Sequence, residues 1–161
     1  MQTFLPHKNF SDCAKELDSK RLNKQILEGY QILNILLGNS ESKAWRNHPA
    51  VLMWKNNEGS LVFYVKTMIR EAKRRGIKTD KNSQNIHRLL LQQDRRIPLQ
   101  YPSWYKDSRI DLVVETHRAN LYKKDPIFYA HFSDSIESNN NKPCCPDRKE
   151  PCKYYWPTHV S

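Results

Sequence analysis

The sequence predicts an all-α protein: a compact single-domain helical bundle with an irregular amino-terminal segment and an extended carboxy-terminal tail. Three observations carry this. Apolar residues recur every three or four positions over long stretches, as on the buried face of a helix. Few segments show the two-residue alternation of a half-buried strand. Gly38, Gly76 and Pro49 fall at the ends of the periodic stretches, where helices stop and start. With 161 residues the chain can bury a core without metals or disulfides.

Residues 2–10 read as irregular. Ser11 can cap a first helix running to about Gly38, with Leu22, Ile26, Tyr30, Leu33 and Leu37 as its apolar stripe. Asn39 to Lys43 is a polar loop, and Pro49 suits the first turn of a short helix through Trp54. Ser60 then caps a third helix with Leu61, Tyr64, Val65, Met68, Ile69 and Ala72 inward, which Gly76 stops. Its last turn, Lys73-Arg74-Arg75, either complements the helix dipole or forms a phosphate patch. A weaker helix covers about Gln84 to Asp94, Pro98 and Pro102 bracket an extended segment, and a last long helix spans about Ser108 to Lys124. A short turn follows Asp125-Pro126, and apolar anchors thin out after Ser133. We therefore expect a helical domain over residues 1–132 and a polar, Pro- and Cys-containing tail over 133–161.

Charge narrows the function. There are 27 Lys plus Arg against 17 Asp plus Glu, a net charge of +10 and a pI near 9.5. That balance favours a polyanionic partner, nucleic acid before membrane. No apolar run approaches the ~18–20 residues of a membrane span, and the amino terminus lacks the layout of a signal peptide. A cytoplasmic location is expected. Cys144, Cys145, Cys152 and His159 lack the paired spacing of a zinc site, so we expect no metal and a tail whose thiols stay reduced.

The densest polar pattern is LDSKRLNKQILE, Leu17 to Glu28. On one helix, Arg21, Gln25 and Glu28 share a face. Lys20 and Arg21 can meet phosphates or pair with Asp18 or Glu28. A second cluster, Trp45-Arg46-Asn47-His48, precedes Pro49; His48 contacts DNA, or acts as an acid, or caps the following helix. Trp45, Trp54 and Trp104 include a candidate surface for an unstacked base, although most tryptophans are core. Arg118, Lys123 and Lys124 are candidates for backbone phosphates, whereas His117 reads as a structural histidine among core neighbours.

Three stretches together resemble the pyrimidine-dimer DNA glycosylase (phage endonuclease V-like) family, in a divergent bacterial and phage branch. They are LDSKRLNKQILE, the pair NHPAVLMW and YVKTMIREAKRRGIK, and THRANLYKKDPIFY. The resemblance implies a helical DNA-repair enzyme that needs no cofactor and acts on duplex DNA, in the host cytoplasm if phage-encoded, as a monomer. It implies an N-terminal amine that attacks C1′ of the damaged nucleotide, expels the base and forms a Schiff base. Glu28 falls at the position of the family's catalytic glutamate, which helps strand cleavage by β-elimination. The chemistry suits an α-amine, whose class has a reference pKa of ~7.7–8 and hence a usable neutral fraction.

Two departures qualify that expectation. Gln2 is bulky enough to block removal of Met1, so the amine is that of Met1, or processing exposes another residue, or amine chemistry is absent. Leu27 stands where the family has an arginine, a charge that Arg21, Arg46 or Arg118 could re-supply. The expected function is a DNA glycosylase with abasic-site lyase activity on a damaged or modified base. Met1, Glu28, Arg21 and His48 are its candidate catalytic residues; Lys20, Gln25, Trp45, Arg46, Asn47, Arg118, Lys123 and Lys124 are its candidate DNA contacts. The alternatives are a non-catalytic DNA-binding protein of the same fold, and an enzyme acting on the glycosidic bond of a free nucleoside or nucleotide.

Overall fold

The computed structural model describes residues 1–38, 44–137, 149 and 152–158. Among these there are seven α-helices and no sheet, so the chain is all-α. None of the helices is long and apolar enough to cross a membrane. The residues gather into two compact units, Met1–Thr3 with Ala14–Pro102, and Phe4–Cys13 with the described residues from Ser103 onward.

The first helix of the sequence reading is two helices. Helix α1 is Phe10–Glu16 and α2 is Ser19–Leu36. The break comes from Asp18, whose extended backbone and carboxylate, accepting from the Arg21 N–H at 3.3 Å, cap α2. Gly38 closes this stretch with φ of 78°, the left-handed conformation that glycine adopts without steric cost.

In the first unit α2 packs on α4 (Glu58–Arg74), which starts two residues before Ser60. Ser60 is buried inside the first turn and donates to the Asn57 carbonyl at 2.8 Å instead of capping. Leu22, Ile26, Ile32 and Leu33 of α2 meet a buried face holding Leu61, Tyr64, Val65 and Met68 of α4. The close approach is made at Gly29, where a Cβ would overlap Cγ2 of Val65. Tyr30 and Leu37, expected on this stripe, are only half-buried, because the buried face turns toward Gln25 and Gly29.

The basic end of α4 is mostly structural. Glu71 accepts from Arg74 at 2.8 and 2.6 Å and from Arg75 at 3.0 Å, and these hydrogen bonds, Arg74's first, pull its carboxyl down to about 2. Arg75 also donates to the Ala14 and Lys15 carbonyls, each at 3.1 Å, satisfying groups left open at the end of α1. Gly76 ends the helix with φ of 78°, as its position predicted. Helix α3 is Pro49–Leu52, and α5, Asp80–Leu91, begins four residues before the expected Gln84.

The second unit is built on α7 (Arg109–Lys124), preceded by the short α6 (Ser103–Lys106), where Trp104 is buried. Phe132, Tyr129 and Phe4 complete its aromatic core. Residues from the stretch read as a polar tail pack on α7. The Ile136 N–H donates to Glu115 at 2.9 Å, the Tyr155 N–H donates to Thr116 Oγ1 at 3.0 Å, and the Tyr154 ring stands edge-on to His117 at 5.4 Å. Cys152 is buried and disulfide-bonded, not reduced as expected; Cys144, Cys145 and His159 lie outside the described residues. Among the described residues no group of His, Cys, Asp and Glu could hold a metal ion. Cys13 donates to the His7 carbonyl, and burial raises its thiol to about 12, which keeps it protonated at neutral pH.

His117 is the most deeply buried titratable ring of α7. Its Nδ1 accepts the Leu5 N–H at 2.9 Å, and burial lowers its pKa from 6.5 to about 3. The unfolded chain therefore binds a proton near pH 6.5 that the folded chain refuses until about pH 3. The resulting stability is fully present above the unfolded value and is lost as pH falls toward the folded one. From roughly pH 7.5 to 5 the intact protein should lose ~2 kcal/mol more unfolding free energy than His117→Gln, which keeps an acceptor for Leu5 but cannot titrate. Urea denaturation at both pH values measures this; parallel losses would show that His117 is not a source of acid sensitivity.

Candidate active site

The amino terminus enters the first unit as a short extended segment held by side chains. Gln2 and Thr3 are buried, so their backbone donors need partners. The Gln2 N–H donates to Glu28 Oε2 at 3.1 Å. The Thr3 N–H donates to Gln2's own Oε1 at 2.8 Å, and the indole of the fully buried Trp54 donates to Thr3 Oγ1 at 3.0 Å. These bonds fix Gln2, the residue after the half-exposed Met1, on the carboxylate of Glu28 on α2.

Glu28 is held from its own helix as well. Its side chain is 13% exposed, with Lys24 Nζ 3.6 Å from Oε1 and Gln25 Nε2 donating to Oε2 at 3.4 Å. Gln25 is in turn fixed by the Tyr64 hydroxyl of α4, which donates to Gln25 Oε1 at 2.9 Å. A buried chain of donors thus runs Tyr64, Gln25, Glu28, and ends beside Met1.

His48 also lies within the electrostatic reach of the amino terminus. It is the N-cap of α3, its Nδ1 accepting the Ala50 N–H at 3.1 Å, so the ring proton of the neutral form resides on Nε2. Burial, and then the positive amino terminus, lower its pKa. The amino-terminal charge thus reaches the His48 ring, while the N–H of the next residue is held by Glu28. The Trp45 ring lies 5.4 Å from the His48 ring and is 45% exposed, next to exposed Arg46 and Asn47. An aromatic face and two polar side chains are thus open to a ligand beside His48.

The structure sorts the remaining candidates. Arg21 is half-buried in an ion pair with Asp18 at 3.2 Å, and Lys20 is exposed. Gln25, a candidate DNA contact, is only 1% exposed and turns inward to Tyr64, so it reaches a ligand through Glu28 and not directly. Trp54 and Trp104 are core, leaving Trp45 as the exposed tryptophan among these three. Arg118, Lys123 and Lys124 belong to the second unit. There Arg118 donates to the Pro6 carbonyl at 2.6 Å and lies over the Phe132 ring at 5.2 Å; Lys124 is exposed and Lys123 half-buried.

Gln2, Thr3, Lys24 and Tyr64 are site-building residues absent from the sequence-derived set, and Trp54, read there as a stacking candidate, instead holds Thr3. Of these, only Lys24, four residues before Glu28, carried a local signal. The others meet across large sequence separations.

A family model described as pyrimidine dimer DNA glycosylase matches residues 1–85. The chain belongs to this family, one of DNA glycosylases whose substrate is DNA. The matched span contains α1 to α4 and the residues gathered around Met1, and it ends before Arg118, Lys123 and Lys124. No curated protein and no solved structure matches the chain.

The buried Tyr64–Gln25 bond makes a stability prediction. Tyr64→Phe removes the donor while leaving the Gln25 carbonyl buried, which costs ~1–3 kcal/mol when no replacement partner is found. Changing Gln25→Leu in the same chain should recover part of that loss, because both polar ends are then gone. Denaturation midpoints of the two variants test this, and a Tyr64→Phe protein as stable as the original would dismiss the bond as a stabilising contact.

Proposed function

We propose that this protein excises a damaged or modified base from duplex DNA with the α-amine of Met1, and cleaves the resulting abasic site as a lyase. The observation that carries the reading is the bond from the Gln2 N–H to Glu28, which leaves the amine of the preceding residue beside a shielded carboxylate. His48 adds a second line of support, since the amino-terminal charge reaches its ring.

In this mechanism the neutral Met1 nitrogen bonds to C1′ as the glycosidic C1′–N bond breaks. The base departs carrying a proton, and the amine gives one up in exchange. Ring opening at O4′ then yields a Schiff base between Met1 and C1′. Loss of a C2′ proton expels the 3′ phosphate by β-elimination. Glu28 stabilises positive charge developing on the sugar and then relays protons. His48, neutral with its proton on Nε2, is a donor toward the departing base. The target nucleotide is drawn out of the stack to expose C1′, and Trp45 offers the aromatic surface on which an unstacked ring can rest. On the first unit Lys20, Arg46 and Asn47 position DNA through its phosphates; Arg118, Lys123 and Lys124 are the phosphate candidates of the second unit.

Replacing Glu28→Gln keeps the acceptor for Gln2 but removes the charge and the titratable proton. Base release or strand cleavage should drop by ~10²-fold or more while duplex affinity is retained, the scale of a lost acid–base group. Single-turnover cleavage of a damaged duplex reads this directly, and unchanged turnover would take Glu28 out of the chemistry.

The amine is tested separately. One extra residue before Met1 moves the terminal nitrogen by ~3.3–3.6 Å, beyond the tolerance of an attacking geometry. Borohydride should trap abasic DNA on Met1 of the untagged protein, mapped by mass spectrometry of the tryptic peptide, and an amino-terminal extension should abolish the adduct. Trapping on an internal lysine, or undiminished activity with the extension, would defeat the Met1 assignment.

A further inference from the structure

Two grooves on the first unit join end to end. A groove of about 420 Å³ is lined at one end by Arg46 and Asn47 and continues past Lys55 to Asn56 and Glu58. A larger one, of about 920 Å³, shares Leu36, Asn56 and Glu58 with it and continues past Asn57 to Gln93, Arg95 and Arg96. The first begins at the two exposed residues beside His48; the second ends on a strap, residues 93–100, that the excision chemistry does not use.

The strap is held close to α4 by a specific fit. A Cβ on Gly59 would overlap the carbonyl oxygen of Pro98, so residue 59 must be glycine for the strap to lie over the start of α4. Arg95 and Arg96 are exposed on it, and Arg46 and Lys55 are exposed on the other wall. None of these four cations forms an ion pair among the described residues. The acidic groups along the groove are Glu58, whose Oε1 accepts the Asn56 N–H at 3.1 Å, and Asp94. Between the cationic ends run amides, Asn56, Asn57, Gln93 and Gln100, over the apolar side chains of Leu36 and Leu37. Spaced cations, neutral hydrogen-bonding groups and a modest apolar floor match a sugar-phosphate backbone, with charge at each phosphate and neutral surface between.

We propose that this joined groove is a binding site for the DNA backbone flanking the processed nucleotide, with Arg46 and Lys55 at the end near His48 and Arg95 and Arg96 at the far end. The inference rests on the base-excision reading for what occupies the site. It adds a strand contact outside the family-matched residues 1–85, on the strap.

The test uses the full, untagged chain and a duplex carrying a tetrahydrofuran abasic analogue, with affinity measured from about 50 to 200 mM salt. Each phosphate contact contributes ~0.9 to the slope of log affinity against log salt. Arg95→Ala with Arg96→Ala should flatten the slope by about 1.8, so that the intact protein loses about twelve-fold more affinity than the variant across that range. Lys55→Ala, on a different element, should flatten it by ~0.9. Neutral methylphosphonates placed singly along the duplex should weaken the intact protein at one or two positions to one side of the analogue, and those positions should fall silent in the Arg95/Arg96 variant. An equal flattening in Lys78→Ala with Lys81→Ala, which removes two exposed charges away from the groove, would overturn the proposal. An unchanged slope in both groove variants, alongside continued borohydride trapping, would overturn it while leaving the excision reading standing. Salt-indifferent binding by the intact protein would overturn both.

Discussion

A chain end buried in a protein must find a partner for each backbone N–H it brings with it, and here the partner of the Gln2 N–H is a carboxylate. That one bond, from Gln2 to Glu28, ties a segment with no regular structure to the middle of α2. Much of the first unit supports it. Trp54 holds Thr3, Gly29 lets α4 come close enough for Tyr64 to reach Gln25, and Gln25 keeps Glu28 from turning to solvent. An amide donor makes a carboxylate oxygen face the chain end. Lys24, on the other oxygen, supplies charge without burying it, since its side chain is 66% exposed. The arrangement therefore fixes the carboxylate from the inside and leaves its cationic neighbour in solvent.

The features legible in the sequence were those carried by neighbours in the chain. Helical periodicity gave the all-α class, Gly38 and Gly76 gave two helix ends, and Pro49 gave the start of α3. Glu28 stood out because residues three and four apart on a helix share a face, and the His48-Pro49 pair announced a cap that the Nδ1–Ala50 bond fulfils. The errors have the same origin. Ser60 looked like a cap because serine is a good one, but Gly59 admits the strap over the helix start and the first turn shifts to Glu58. Asp18 was read as a side chain on a continuous helix, whereas its local bond to the Arg21 N–H outcompetes continuation.

Gln25 shows the limit more sharply. A glutamine among lysines and arginines on a basic helix reads as surface, and helical geometry alone cannot say which way the stripe is rotated. The partner that draws it inward, Tyr64, lies thirty-nine positions away on another helix. Tyr64 in turn reads as an ordinary core aromatic, because nothing nearby in sequence marks its hydroxyl as satisfied. Buried polar pairs of this kind are invisible to periodicity, yet they decide whether a carboxylate is a decoration or a fixed group. The strap at Arg95 and Arg96 was missed for a related reason: a short basic stretch between a helix end and Pro98 looks like a connector until Gly59 shows what it rests on.

The electrostatics of the two ends of α2 follow from these contacts. Near its start, Arg21 is committed to Asp18, and its charge is largely spent within the helix. Farther along, Glu28 holds the Gln2 N–H, and burial, then the positive amino terminus, lower the pKa of His48. A phosphate arriving at this region would meet the exposed cations of Lys20 and Arg46 before it met Glu28, whose side chain is shielded by its donors. The recessed placement of Glu28 keeps its carboxylate away from an approaching polyanion, whose phosphates reach the exposed cations first. That ordering suits a basic protein of a DNA glycosylase family: exposed cations can hold a strand, while the carboxylate stays recessed and oriented by the amide of Gln25 and the N–H of Gln2.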